Sequence, residues 1–263
     1  MKYLLAATLW TITLSLSFAQ QGEATYFMRI STGISFSPDN KISKQEQNKI
    51  LEAAMKRNQK EYTLVFTTKE SVYKQNAQLD TPAKSNRFPT SYNPGDVLYK
   101  NMTTKTYLYK IDLMGKLFLI KDSLPTTKWT LNSETKTIGN YTCYKATRSY
   151  TVDRDEVKIP GRTYNEPNID TIEVTAWYTP EIPISNGPEN YSGLPGLILE
   201  VHDDNKIFLC NKITLSNKET IEIKIPKRGK EINQADFDAL KTQKLREFVE
   251  RYSDGKGGLH ITK

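Results

Sequence analysis

The chain has 263 residues, a net charge of +7, a quarter of its residues charged and a mean hydropathy of −0.59. Beyond the N-terminus no segment approaches membrane-spanning length, and there is no internal repeat or low-complexity tract, which leaves one large domain or two small ones. The positive charge is spread along lysines, so the surface could meet anionic lipid or polysaccharide. The aromatic–basic pattern of a nucleic-acid reader is missing, and no nucleic-acid partner is expected.

Residues 1–19 read as a signal peptide. Lys2 supplies the positive start, Tyr3 to Leu16 are mostly apolar or small, and Ser17-Phe18-Ala19 offers small residues at −3 and −1 of a cleavage site. No cysteine follows that point to take a lipid anchor. The mature chain is expected to start at Gln20, to be exported to the periplasm, the outer membrane or the medium, and to carry no transmembrane segment.

A first strand is expected over Thr25 to Ile30. Ser43 with Glu46 three residues later forms a capping-box pattern, followed by Ile50, Leu51, Ala54 and Met55 at helical spacing. Tyr62, Leu64 and Phe66 alternate with Thr63, Val65 and Thr67 as in a half-buried strand, and Ser71 to Lys74 reads as a second one. Residues 76–95 form a loop rich in proline. Val97 to Met102, Thr106 to Asp112 and Lys116 to Lys121 are closely spaced strands separated by Thr103-Thr104-Lys105 and Met114-Gly115, which indicates antiparallel hairpins. Trp129 to Leu131 and Tyr141 to Val152 flank a turn at Gly139-Asn140. A second irregular stretch spans 160–168, after which Ile172, Val174, Ala176 and Tyr178 share one face.

From Trp177 to Val201 the chain concentrates Pro180, Pro183, Gly187, Pro188, Gly193, Pro195 and Gly196. Gly193 and Gly196 permit positive φ or close backbone approach, and Pro195 fixes φ between them. A rigid corner that sends Leu197, Ile198, Leu199 and Val201 into the sheet follows. Lys206 to Leu215 and Thr220 to Ile225 alternate again, Lys227 to Ile232 is a basic linker, and Asn233 caps a helix with an apolar stripe of Phe237, Leu240, Leu245, Phe248 and Val249. Residues 252–263, with three glycines, form a tail.

The expected fold is mainly β: one large meandering antiparallel sheet, curled into a partial barrel or a sandwich, with an N-terminal and a C-terminal helix. Residues 20–232 make the β-rich domain and 233–263 the C-terminal helix and tail. A sheet that curls without closing leaves an apolar concavity suited to a lipophilic ligand.

Gly193-Leu194-Pro195-Gly196-Leu197-Ile198 resembles the signature of the GLPGLI family of exported Bacteroidota proteins, which has no assigned activity. Gly139 to Ala146, Ala176 to Thr179, Ile182 to Ser185 and Gly187-Pro188 resemble the family's other elements, in order. The similarity covers roughly Tyr62 to Ile225. It implies a periplasmic or outer-membrane-associated location; it does not imply a catalytic residue.

The chemistry-bearing residues are few. Cys143 and Cys210, bound for an oxidising space, are a candidate disulfide that would stabilise the fold by roughly 4 kcal/mol if neighbouring strands aligned them; two separate buried thiols are the other reading. His202-Asp203-Asp204 reads as a strand-end turn rather than a metal site, and His260 lies in the tail. No Gly-x-Ser-x-Gly, HExxH, Walker or dinucleotide pattern occurs, so neither a cofactor nor a catalytic set is expected. Asp122-Ser123-Leu124 and Asp170-Thr171-Ile172 match a short O-glycosylation pattern. The candidate ligand or partner residues are Trp177, Tyr178, Tyr191, Gly193, Leu194, Pro195 and Gly196. The leading expectation is a non-enzymatic envelope protein that binds a lipophilic ligand or an outer-membrane partner. The alternative is a carboxylate-dependent hydrolase of peptide or glycan, for which Glu173, Glu181 and Glu189 lie near the corner.

Overall fold

The computed structural model describes residues 21–30, 42–57, 59–77, 95–154, 168–216 and 221–253. The expected signal peptide, the loop from 78 to 94 and the tail beyond 253 lie outside the described residues. In chain order the elements are β1 Gln21–Ile30, α1 Lys44–Arg57, β2 Lys60–Phe66, β3 Glu70–Gln75, β4 Val97–Asn101, β5 Thr106–Leu113 and β6 Lys116–Ser123. There follow β7 Thr130–Ile138, β8 Tyr141–Asp153, β9 Ile169–Thr179, β10 Leu197–Asp203, β11 Lys206–Ser216, β12 Lys230–Ile232 and α2 Gln234–Ser253.

All twelve strands form one sheet in the order β12-β6-β5-β4-β3-β2-β1-β11-β10-β9-β8-β7. Two meanders, β1 to β6 and β7 to β11, are joined where β1 pairs with β11, so the first strand sits near the middle. The sheet is not closed into a barrel: β12 and β7 are its two edges.

Short turns set this order. Met114 and Gly115, both at positive φ, close the β5–β6 hairpin, Gly139 starts the β7–β8 turn, and Asp204 closes β10–β11. Both helix starts are capped as their sequences demand. The Ser43 hydroxyl accepts from the Glu46 amide at 3.2 Å, and the Glu46 carboxylate accepts from the Ser43 amide and hydroxyl. Asn233 Oδ1 accepts from the Asp236 amide at 2.8 Å.

Two departures from the sequence reading concern the end of the chain. The alternation of Ile221, Ile223 and Ile225 does not make a strand, because no strand pairs with it; the Ile221 amide instead donates to the Gln21 side chain. The strand that forms is β12, inside the expected linker, and it pairs parallel with β6, so the sheet is antiparallel-rich rather than purely antiparallel.

Residues directly opposite one another share a face. One ladder, Ala24-Leu64-Tyr73-Leu98-Tyr109-Ile120-Ile232, crosses seven strands from β1 to β12. Another, Met28-Phe208-Val201-Ala176-Ala146, crosses from β1 to β8. These ladders define the inner face. Ala24, Met28, Leu64, Phe208, Val201 and Ala176 are fully buried there, and each large apolar side chain so covered is worth about 1.5–3 kcal/mol.

The segment 180–196, between β9 and β10, lies over this face and supplies Ile182, Ile184, Tyr191 and Leu194 to the core. It is pinned to strands remote from its own. Asn186 Nδ2 donates to Ser71 Oγ of β3 at 2.8 Å, and Lys100 Nζ of β4 donates to the carbonyls of Gly187 and Glu189 at 2.9 and 2.7 Å. Just past the segment, the Tyr26 hydroxyl of β1 donates to the Ile198 carbonyl of β10. The corner itself tolerates only glycine at one point: a Cβ on Gly196 would lie 2.1 Å from the Thr179 carbonyl oxygen. Immediately after it a bulge between Ile198 and Glu200 buries both Ile198 and Leu199.

The disulfide expectation is corrected. Cys143 and Cys210 are free thiols. They lie on β8 and β11, with β9 and β10 between them, so they are not the cross-strand neighbours that a bridge with Cα atoms within about 7 Å requires. Burial pushes the Cys143 thiol up to about 11 and Cys210 to about 12, which favours the inert, protonated form.

Candidate functional site

The cluster around the corner is assembled from four stretches and is structural in its chemistry. Asp203, at the end of β10, accepts from the hydroxyls of Tyr191 and Tyr150. Arg148 of β8 lies 3.9 Å from the same carboxylate and stacks near the rings of Trp129, Tyr150 and Tyr191. Trp129 Nε1 donates to the Ser192 carbonyl at 2.9 Å. Burial and the Asp203 carboxylate raise both tyrosines, Tyr150 to about 12 and Tyr191 far beyond its usual range. Both hydroxyls therefore stay protonated and donate; a buried carboxylate is kept satisfied and the segment is tied down.

The sequence-derived candidates divide between two places. Tyr178, Tyr191, Leu194 and Gly196 are buried, Gly193 and Pro195 are exposed at the corner, and Gly193 donates its amide to Ser185 Oγ at 3.0 Å. Trp177 is half-buried on the other face of the sheet, with Lys136 Nζ 4.3 Å from its ring centroid and the Lys136–Glu200 pair beside it. None of these seven lines the large cleft described next.

The proposed carboxylates of the hydrolase alternative also separate. Glu173 is exposed on β9, Glu181 accepts from the Thr142 amide, and Glu189 lies near Lys100. His202 pairs with Glu200, Asp203 with the tyrosines and Asp204 with Arg154, so the three residues of that turn diverge. Among the described residues no group of His, Cys, Asp and Glu is arranged to hold a metal ion.

The cavity is elsewhere. Between α2 and the inner face of β5 and β6 lies a cleft of about 760 Å³, within the range of sites that enclose a small molecule. Tyr107, Tyr109, Ile111 and Ile120 of the sheet, Phe237 of α2 and Ile30 line it together with polar side chains that include Asn190, Asn205 and Gln234. Phe237 packs edge-on to Phe118 with ring centroids 5.7 Å apart. Tyr107 donates to Gln234 Oε1 at 2.7 Å, and the Gln234 amide donates to Asp122 Oδ2 at 3.0 Å. These contacts seat the first turn of α2.

Charges rim the cleft. The backbone amides of Gln234 and Ser123 hold Asp122 below its usual range, whereas burial pushes Tyr107 up to about 12. Burial lowers Lys60, with Asp96 acting in the opposite direction. Lys206 and Lys241 complete the basic lining. A void of about 20 Å³ between Tyr62, Tyr73, Leu98 and Glu189, room for about one water, lies where segment 180–196 meets the same sheet.

Sequence reasoning missed the cleft and Lys100. The cleft was not legible because it depends on the long-range pairing of β12 with β6 and on the contacts of α2 with β5 and β6. Lys100 did carry a signal: in the strand Val97 to Met102 it is in phase with Leu98 and so points inward. It is fully buried, and burial lowers its ammonium to about 7, with Glu189 opposing.

Comparison with known proteins finds a family model that matches part of the chain and solved structures of similar fold. Residues 129–200 match the family described as "Protein of unknown function (Porph_ging)". The comparison with curated proteins finds no match. A solved structure of PNGF-II in space group P21 is 13% identical and matches over 87% of this chain and 34% of that chain, with a TM-score of 0.50. The C2 form gives 0.49 at the same identity and coverage. LprF from Mycobacterium bovis is 12% identical over 81% of this chain and 90% of that chain, with a TM-score of 0.24. The chain thus spans about a third of the PNGF-II chain, and at this identity the likeness concerns fold alone. Among the described residues no helix is long and apolar enough to cross a membrane.

Proposed function

We propose that this is an exported cell-envelope protein of the GLPGLI type that is not an enzyme and holds a lipophilic ligand in the cleft under α2. The observation that carries this reading is the cleft itself, a cavity of about 760 Å³ whose lining includes Tyr107, Tyr109, Ile111 and Ile120 of the sheet and Phe237 of α2. The sheet curls toward α2 in this reading, and the Gly/Pro segment acts as the filler that keeps the remainder of the inner face closed. Export rests on the basic, apolar and small-residue pattern of residues 1–19, and a partner in the outer membrane would receive or deliver the ligand. The hydrolase alternative needs paired carboxylates raised to act as acid and base; Asp122, in the cleft, is shifted the other way.

The test is fluorescence of the neutral dye N-phenyl-1-naphthylamine with the mature chain. Wild type is expected to enhance it, and Ile111→Trp, which fills the cleft, to abolish the enhancement while lowering stability by no more than about 1–3 kcal/mol. A wild type that leaves the dye dark, or a filled variant that enhances it equally, overturns the reading.

A further inference from the structure

We propose that the protein docks on an anionic phospholipid bilayer through the tip of the β5–β6 hairpin and the basic stretch that leads into β12. Met114 and Leu117 enter the acyl region, and Lys116, Lys227, Arg228 and Lys230 meet the head groups. Met114 and Leu117 are 41% and 44% exposed. Met114 and Gly115 turn the hairpin at positive φ, and Leu117 lies opposite Asp112 at its base. The basic stretch is held beside them. Gly229 sits so close to β6 that a Cβ there would lie 2.5 Å from the Phe118 carbonyl carbon, and Lys230 pairs with Phe118. Because β12 runs parallel to β6, the residues before Gly229 approach the Lys116 end of β6, where the hairpin turns.

The charge there is one-sided. Lys116, Lys121, Lys224, Lys227, Arg228 and Lys230 are all exposed, and none makes a salt bridge or a side-chain hydrogen bond among the described residues. The acids that border them are Glu222, Glu231 and Asp112, and Asp112 already accepts from the Gly115 amide at 2.8 Å. Each such cation raises binding to an anionic leaflet by about 5-fold. Charge alone would fit any polyanion; the apolar tip decides for a bilayer. A nucleic acid or polysaccharide offers Met114 and Leu117 no hydrocarbon, and the tip exposes no aromatic ring on which a base or sugar could stack. Ile111 and Asp112, which line the cleft, lead directly into the tip. Docking therefore sets the cleft beside the membrane, but it does not depend on what the cleft holds.

The experiment is sedimentation of the mature chain with vesicles of phosphatidylcholine alone or of equal parts phosphatidylcholine and phosphatidylglycerol. Binding is expected to the mixed vesicles, about 10-fold or more weaker to phosphatidylcholine, and reduced by salt. Lys227→Gln/Arg228→Gln/Lys230→Gln should weaken it about 10-fold or more. Lys69→Gln/Lys74→Gln/Lys212→Gln changes the net charge equally at exposed lysines of other elements and should weaken it far less. Met114→Asn/Leu117→Thr keeps every charge and should still weaken it several-fold; asparagine suits the positive φ at position 114. An unchanged urea midpoint shows that each variant is folded. No binding to the mixed vesicles, equal binding to both kinds, or equal loss in the two triple variants overturns the proposal. So does a tip variant that binds as wild type, which, with competition by dextran sulfate, assigns a soluble polyanion instead. Sedimentation is read without the dye, so a wild type that leaves the dye dark removes the cleft ligand and not the docking.

Discussion

Over β3, β4, β9 and β10 the inner face of the sheet is sealed by segment 180–196, whereas over β5 and β6 it is covered only by the start of α2. The first cover is tied by buried hydrogen bonds at Asn186 and Lys100 to β3 and β4, far away in the sequence, and at Tyr191 to Asp203 of β10. The second rests on the Phe118–Phe237 contact and on the polar latch of Gln234 with Tyr107 and Asp122. A cover built from backbone-constrained residues leaves no room for a ligand. A helix held by its first turn leaves a cleft beside it. The residues most conspicuous in the sequence therefore belong to the closed half, and the open half is made of ordinary strand and helix positions.

The sharpest way to break the closed half is Gly196→Ala. The added Cβ meets backbone atoms of Thr179 and Pro180, not a side chain that can swing away. We expect a loss of about 3 kcal/mol or more, read as a lower denaturant midpoint with an unchanged slope. An unaffected midpoint would show that the corner is not rigid. Next in size is Tyr191→Phe, which strips a donor from the buried Asp203 carboxylate and should cost about 1–3 kcal/mol. Dye binding in the cleft should survive this change, and its loss would mean that the two halves are one unit.

Lys100 gives the closed half a pH signature. Its folded value of about 7 lies below the ordinary 10.5, so between these values the unfolded chain holds more protons than the folded one. Stability then rises with pH above about 7, by up to about 1.4 kcal/mol per unit, and the cost of burying the charge is fully present below 7. Cys143 and Cys210 act oppositely. Their folded values of about 11 and 12 keep them protonated while unfolded thiols ionise near pH 8.5, so stability falls above that point. The rise should therefore be visible between about pH 7 and 8.5 in urea titrations and absent in Lys100→Met. A flat profile in the wild type would remove Lys100 as a titrating pin. The smallest effect is expected outside both halves: breaking the exposed Lys145–Glu134 pair with Lys145→Ala should change stability by no more than about 0.5 kcal/mol.

Period-two patterning made most strands readable, from Tyr62-Leu64-Phe66 through Ile172-Val174-Ala176-Tyr178, because each has one covered face. The same rule failed at Ile221-Ile223-Ile225, where the pattern exists but no partner strand does. It also missed β7 beyond Leu131, an edge strand with exposed polar residues and hence no alternation to detect. Helix starts were legible at Ser43 and Asn233 because capping is local.

The sequence by itself determined the local geometry: where strands run, where helices start, and that the chain must turn sharply between Gly193 and Gly196. Only the tertiary structure decided that β1 joins the two meanders, that Cys143 and Cys210 are kept apart, that Lys100 is buried under segment 180–196, and that a cleft remains beneath α2. The physical reason is range. Dihedral preferences and alternation act over a few residues, whereas the pairing of β1 with β11 and the seating of α2 on β6 depend on which distant surfaces cover one another.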